Sequence, residues 1–469
     1  MTGDPIKSAR NIIDQFQQER RSKKQDQNGR HIIAQEDVAS ICAQLHELFP
    51  NGAKIPNDLI WKFDGCYFPE LFTLLSGRYS AVRFTHCKFE KGIALVDVSF
   101  VGAFEFSDCD LSKVTNEANV LNLERVTVAG DTTFDSSRIY TIKCVDTVFD
   151  GKVSIQKTEI EILKGATFKK GVELSDNSRI QEVSDAKFHD SARFLYSGVH
   201  PFVISKCHFH GRTTIGHKNT EQPVHGLMLQ DCRFYDHALF TQLTLHKEAT
   251  VQRVKFEKRC EFRACQFKDR TNFVDVIFQV PPFFTAGYSL SSDTHFLRCG
   301  FKSTKTTYDL TAYRELRRIA RETIRSAVDE GRFFALEQRT LAWLEWKDWA
   351  RWGHATISTF YRLGSNYGQS IMRPLFGLGM VTVGAWFALC LYSTEPIVSE
   401  HGEFLASRPI LGLILQNIFS PFTFFSRAAA FTPADVSGAA ISIAQSALSL
   451  LFFALFVLSV RRRLKKESE

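Results

Sequence analysis

The sequence predicts a mainly β chain that ends in a membrane: a β-solenoid over residues 59–305, flanked by helices, with two transmembrane helices at the C-terminus. Three observations predict it. A small-x-Phe triplet recurs from residue 66 to residue 301 without helical periodicity, 42 of 469 residues are Phe, and the runs 374–392 and 438–460 are apolar and uncharged.

Residues 1–58 open with a polar, charged stretch that has no apolar core of a signal peptide. The stretch "EDVASICAQLHELF" is read as helical, and the whole segment as a cap on the open end of the solenoid, where strand edges need cover.

The repeat reads "CYF" at 66, "CKF" at 87, "CDL" at 109, "TVF" at 147, "ATF" at 166, "AKF" at 186, "CHF" at 207, "CRF" at 232, "VKF" at 254, "CQF" at 265, "VIF" at 276 and "CGF" at 299. Steps near 20 and 11 imply coils with several short sides. On one side, residues two apart both point inward, so Phe262, Phe267, Phe273 and Phe278 mark successive sides of a coil, each with a small inward neighbour. At about 20 residues per coil and about 4.8 Å per step, the rod is expected to be roughly 55 Å long. Eight of the eleven Cys (66, 87, 109, 207, 232, 260, 265 and 299) occupy the small position. They are expected to be buried, reduced core residues, since none forms a CxxC pair.

These triplets resemble the pentapeptide-repeat family. The resemblance implies a right-handed quadrilateral β-helix, with small residues at the i−2 site and Phe or Leu at the central site. It covers about half of the chain, and it fits poorly at 113–147 and 210–226, where bulges or loops are expected.

Residues 306–372 change to helical spacing: Tyr313, Leu316, Ile319, Ala320, Ile324, Ala327 and Val328 share a face, and a hairpin broken at Gly331 is expected. Trp343, Trp346, Trp349 and Trp352 follow at three-residue steps, as one drifting face of a single helix. With Lys347 and Arg351 beside them they suit a helix lying on a membrane, and the alternative is a face packed on the solenoid end.

The membrane region is 373–469. Arg373 precedes the first span and "RRRLKK" at 461–466 follows the second, whereas the loop carries Arg408 and Arg427 against Glu395, Glu400, Glu403 and Asp435. The positive-inside rule then expects both termini and the solenoid in the cytoplasm. The loop segment 409–425 is apolar, with an interruption expected at Pro421. It reads either as an amphipathic segment on the outer leaflet or as a re-entrant pore helix, and a potassium filter of the TVGYG kind is absent. Gly438, Ser442, Gln445, Ser446 and Ser449 form a small and polar stripe on the second span, a candidate pore lining or helix interface through which self-association is expected.

The join "YRLGSNYGQSIMRPL" at 361–375 is similar to the segment that precedes the first span in bacterial pentapeptide-repeat proteins with a two-span, ion-channel-like region. Tyr367, Gly368, Ser370, Arg373, Pro374 and Leu375 match it, whereas Asn366, Gln369 and Ile371 depart from it. The resemblance implies a bacterial inner-membrane protein.

No motif of catalysis or nucleotide binding sits in a suitable context, so no enzyme activity and no cofactor are expected. "HFHG" at 208–211 is not expected to hold a metal, because Phe209 points inward and both His outward. Asp108, Asp110, Asp231 and Asp275 read as a solvated face. Residues 59–302 hold about 31 Lys and Arg against about 29 Asp and Glu, so the +7 of the chain does not lie on the rod, and neither DNA mimicry nor nucleic-acid binding is expected. Two functions remain: a sensing or binding rod coupled to an oligomeric, ion-channel-like pore, or a membrane-tethered scaffold for a cytoplasmic protein partner.

Overall fold

The computed structural model describes the chain except residues 1–4, 21–24, 26–29, 35, 41–43, 45–59, 112–119, 176–178, 197–200, 218–225, 286, 394, 399–407, 424–430 and 468–469. It divides into two compact units, Met1–Thr304 and Lys305–Glu469.

The first unit is a β-solenoid of stacked parallel coils. One coil has four short strands, Leu227–Gln230, Arg233–Phe234, Ala238–Thr241 and Thr244–Leu245. The next repeats them as Ala249–Gln252, Lys255–Phe256, Cys260–Arg263 and Gln266–Phe267. Registers are parallel throughout: Leu229 faces Val251, Phe234 faces Phe256, Phe240 faces Phe262 and Leu245 faces Phe267. The side that contains Cys260–Arg263 is an 11-stranded sheet, or a rod of roughly 50 Å at about 4.8 Å per step.

Insertions lie where the triplet fades. Phe104 pairs with Thr132 and Thr213 with Ala238, so these two coils are longer than their neighbours and contain 112–119 and 218–225, which lie outside the described residues. A register shift between Lys143 and Thr147 is the expected bulge.

The Phe period follows from stacking. Phe149, Phe168, Phe188, Phe209, Phe234, Phe256, Phe278 and Phe301 form one column of near-parallel rings with centroids 4.6–5.4 Å apart. Phe240, Phe262 and Phe284 form a second, and Phe273 lies on Phe296 in a third. The pitch of a parallel sheet matches the spacing of offset-stacked rings, so each ring loses its water and gains a neighbour above and below.

The small position is decided by the corner before it. The residue just ahead of the small one has positive φ at Gly65, His86, Asp108, Arg125, Ser136, Asp146, Lys157, Gly165, Asp185, Lys206, Asp231, Gln242, Arg253, Ala264, Asp275 and Arg298. This left-handed residue turns the chain and aims the next side chain inward, in a space that Cys, Ala, Val or Thr fills. Gly165, at φ 81°, has a further reason: a Cβ there would lie 2.1 Å from the Cys144 carbonyl oxygen. The nine described cysteines of the rod are free and buried. Thiols at 87, 109, 207, 232, 265 and 299 bond main-chain carbonyls of the adjacent coil, as Cys87 does to Phe63 at 3.3 Å and Cys299 to Phe273 at 3.2 Å. Burial pushes the Cys144 and Cys265 thiols up to about 12, so they are neutral packing groups and not nucleophiles.

Outward corner residues pair between coils. Arg253 bonds Asp231 at 2.8 Å and Arg298 bonds Asp275 at 2.6 and 2.8 Å, which holds both carboxyls below the usual aspartate range. Two of the acidic residues expected to be merely solvated are therefore ion-paired. On another side His189, His210 and Tyr235 stack at 5.0 and 4.3 Å. Desolvation, then the charges of His189, His208, Lys187 and Arg233, hold His210 below the ordinary histidine value. A depressed folded value means that this contribution is complete above the unfolded value of about 6.5 and is lost as pH falls. The unfolding midpoint should drop between pH 7 and pH 5, and His210→Gln should flatten that drop; an unchanged slope in the variant would remove His210 from the acid response.

The N-terminal segment lies on the first coil. Helix α1 (Pro5–Arg20) buries Ala9 and Ile13 and sets Phe16 edge-on to Phe63 at 5.9 Å, and His31–Ile32 adds a parallel strand beside Cys66–Phe68. Residues 36–40 are helical as expected, and most of the rest of "EDVASICAQLHELF" lies outside the described residues.

The second unit contains α2 (Thr307–Ile319), α3 (Ala327–Glu345), α4 (Trp352–Ser365), α5 (Met372–Tyr392), α6 (Pro409–Thr423) and α7 (Val436–Glu467). Three expectations are corrected here. The hairpin breaks before Gly331, where a π-helical turn at Ala320–Ile324 ends in Arg325 at φ 57° and Ser326 caps α3 by accepting the Asp329 N–H. Gly331 sits inside α3, where the amide end of the Gln369 side chain lies against it. The four Trp are not on one helix: α3 ends at Glu345, and Asp348 caps a separate 3₁₀ turn at Trp349–Arg351. Nor does Pro421 interrupt α6 before Thr423, since a proline in the last turn removes only one N–H.

Candidate functional site

Helices α5 and α7 are long enough and apolar enough to cross a membrane, with mean hydropathy of 1.8 and 2.2 over an 18-residue stretch within Met372–Tyr392 and Val436–Leu464. A core helix of a soluble protein would be covered by its fold. Here only 11% and 17% of the apolar windows are buried, so their side chains face outward. At 1.5 Å per residue, the 21 residues of α5 span about 31 Å, close to the ~30 Å of a hydrocarbon core.

The two helices pack directly. A Cβ at Gly377 would fall 2.3 Å from the Phe452 ring, and one at Gly364 would fall 2.7 Å from Leu455. At one end Ser393 donates to Asp435 at 2.7 Å, Ser437 donates to the Tyr392 carbonyl at 2.7 Å, and Asp435 caps α7 through the Gly438 N–H. Phe431–Thr432 pairs antiparallel with Ile397–Val398, and Gln416 both donates to and accepts from the Phe431 backbone.

The polar stripe of α7 turns into this bundle. Gln445 accepts from Asn417 Nδ2 at 2.9 Å and donates to the Ile414 carbonyl at 3.2 Å. It is 2% exposed, and Leu389, Leu413, Ile414 and Phe431 form the adjoining core. Gly438, Ser442 and Ser449 are buried and Ser446 is half-buried; a Cβ on Gly438 would meet Ser393 at 2.4 Å. Within one chain, therefore, Gln445 of the stripe meets α6, and Gly438 meets the end of α5. The segment α6 packs on α7. The Ser442 and Ser449 hydroxyls are buried without a hydrogen-bond partner among the described residues.

The amide pair yields a double-mutant prediction. Gln445→Leu leaves the buried Asn417 amide unpaired and should cost about 1–3 kcal/mol, whereas adding Asn417→Leu should restore most of it. Thermal unfolding in detergent checks this, and equal losses in the single and double variants would deny the coupling.

The join motif closes the other end. Asn366, Tyr367 and Gly368 all have positive φ, and Asn366 accepts from Arg339 Nη2 at 2.5 Å. Tyr367 is buried with its hydroxyl 3.2 Å from Ser358, and its ring is edge-on to Tyr361 and Phe334. Its carbonyl accepts from Arg462 of α7, whose Cδ lies 3.0 Å from where a Gly368 Cβ would stand. Ser370 accepts from the Arg373 N–H, Arg373 donates to the Arg362 carbonyl at 3.3 Å, and Pro374 is buried in the first turn of α5. The matched residues thus bind adaptor, first span and the end of the second span together. Within the adaptor, buried Glu337 accepts from Arg314 at 3.2 Å and Arg317 at 3.1 Å.

Trp346, Trp349 and Trp352 touch one another and are exposed, as are Ile357, Phe360 and Leu363 of α4. Among the described residues no cluster of three or more metal-ligating side chains exists, and His208 and His210 take part in ring stacks on the outside of the rod. Comparison with family models, with curated proteins and with solved structures finds no match.

Proposed function

We propose that the chain is a membrane-anchored β-solenoid protein of the bacterial inner membrane, with two spans, both termini in the cytoplasm, and a rod that binds a cytoplasmic protein partner. The observation that carries this reading is the outward apolar surface of α5 and α7, which needs a nonpolar solvent. The exposed apolar residues Trp352, Ile357, Phe360 and Leu363 of α4 support an interfacial position for that helix. The small-x-Phe triplets and the join support a relationship to pentapeptide-repeat proteins with a two-span region. In this reading the rod acts without catalysis or cofactor and does not bind nucleic acid.

The second reading is an oligomeric, ion-channel-like membrane domain gated by the rod. The observation favouring it is the small and polar stripe of α7, whose Ser446 stays half-buried within one chain and so remains open to a neighbouring helix. The test is ion flux in liposomes that carry the full-length protein or a version lacking residues 1–305, with insertion verified by resistance to alkaline extraction. Insertion without flux supports the anchored scaffold, flux supports the pore, and loss from the membrane on alkaline extraction overturns both.

A further inference from the structure

A cavity of about 150 Å³ lies within the second unit where α2, α3 and the join meet the C-terminal end of α7, and Arg317, Glu330, Phe334, Gln369 and Arg462 stand in its wall. That volume exceeds the space of a single water several-fold and admits a phosphate-sized group. Two small residues, Ala327 and Gly331, keep it open on the α3 side.

Its electrostatics favour an anion. The guanidiniums of Arg317 and Arg462 both lie over the Phe334 ring, at 4.7 and 4.9 Å from its centroid, which brings two cations to one wall. Arg317 uses Nη1 on Glu337, but its Nε–H is buried and has no hydrogen-bond acceptor among the described residues, the nearest Glu330 oxygen being 4.0 Å away. Arg462 uses Nη1 on the Tyr367 carbonyl, which fixes the side chain while leaving the rest of its fork. Glu330 is the carboxylate among the lining residues, and Glu337 holds Arg317 from outside the lining, so the wall itself is net positive and carries a donor without an acceptor among the described residues.

The position suits the chemistry. Arg462 lies 26 residues beyond Val436, about 39 Å along α7, past the ~30 Å that a hydrocarbon core occupies. In the membrane-anchored reading, on which this placement rests, the cavity is at headgroup depth on the basic side.

We propose that this cavity binds a small phosphate-bearing anion, held by the Arg317 and Arg462 guanidiniums against the Phe334 edge. The phosphate comes either from an anionic lipid headgroup or from a soluble compound. By joining adaptor and second span across one anion, the site ties α2 and α3 to the end of α7.

The test uses the full-length protein. Binding of inorganic phosphate in detergent is measured by calorimetry, and retention of phosphatidylglycerol over phosphatidylcholine in mixed nanodiscs by native mass spectrometry. Arg317→Gln and Arg462→Gln should each weaken binding about tenfold or more, as loss of a charge-assisted bond does. Ala327→Leu, which fills the cavity and keeps every charge, should do the same with an unchanged unfolding midpoint, and exposed Arg461→Gln should have no effect. Binding of phosphate in detergent identifies a soluble ligand and holds whether or not the chain enters a bilayer, whereas selective lipid retention alone identifies a headgroup. Binding of neither probe, or binding that survives Ala327→Leu, overturns the proposal.

Discussion

Phe209→Ala should destabilise the solenoid by about 3–5 kcal/mol, the cost of deleting a buried aromatic from a well-packed core. Phe209 sits mid-column, with Phe188 at 4.8 Å on one side and Phe234 at 4.6 Å on the other, and it is fully buried. The neighbours cannot close the gap, because their spacing is set by backbone hydrogen bonds between coils, as from His210 N–H to the Phe188 carbonyl at 2.7 Å. Phe209→Leu should cost about 1–2 kcal/mol, since it keeps most of the volume and loses the two stacked contacts. Because each coil touches only its neighbours, the loss should be local, with faster amide exchange in the coils at 183–209 and 227–234 and little change near Phe63. Denaturant unfolding of the β signal and hydrogen exchange on the same samples check both parts. A loss under 1 kcal/mol would mean that the ring column does not hold the coils together.

Glu337→Ala should destabilise the helical unit by about 2–3 kcal/mol. Removing one member of a buried ion pair costs about 3–5 kcal/mol, and the figure is reduced here because Arg314 is more than half exposed and its charge is screened. The Glu337 side chain is 7% exposed and accepts from two arginines one turn apart on α2, so its loss leaves two like charges side by side with no counterion between them. Glu337→Gln, which keeps an acceptor oxygen, should cost less than half as much. Thermal unfolding in detergent gives the magnitude, and limited proteolysis at the Arg325 turn gives the place. If Ala and Gln behave alike, the carboxylate is filling space and the charge is idle.

What was legible in the sequence follows from local geometry. A triplet that repeats once per side of a coil carries its own structural instruction: the residue before the small one turns left-handed, the small one points in, and Phe two places on fills the axis. That is why Cys87, Cys232 and Phe273 could be placed in the core by spacing alone. The apolar runs of α5 and α7 are legible for the same reason, since length and absence of charge are properties of the chain and not of its neighbours. The polar residue ahead of each triplet, such as Asp231 or Arg253, was a usable signal for the corner.

The helical unit was less legible because its decisive contacts join residues far apart in the chain. Gly331 has the sequence character of a helix breaker, yet it lies within α3, with the end of the distant Gln369 side chain against it. The break itself sits at Arg325, where Ser326 and Asp329 form a better cap than any local pattern at Gly331 offers. Gln445 was recognisable as a polar group that needs a partner in an apolar helix, but its partner, Asn417, comes from a segment 28 residues away. Likewise "RRRLKK" was read only as positive charge, whereas Arg462 reaches back 95 residues to the Tyr367 carbonyl.

The sequence by itself determined the coil, its inward residues and the two apolar helices, because each is set by interactions within a few residues or by repetition at a constant step. Only the tertiary structure decided which polar groups are satisfied inside the chain and which cations share a wall. A hydrogen bond or ion pair depends on where two distant backbones arrive, and one sequence offers many partners for an Arg, Gln or Ser, of which the fold selects one.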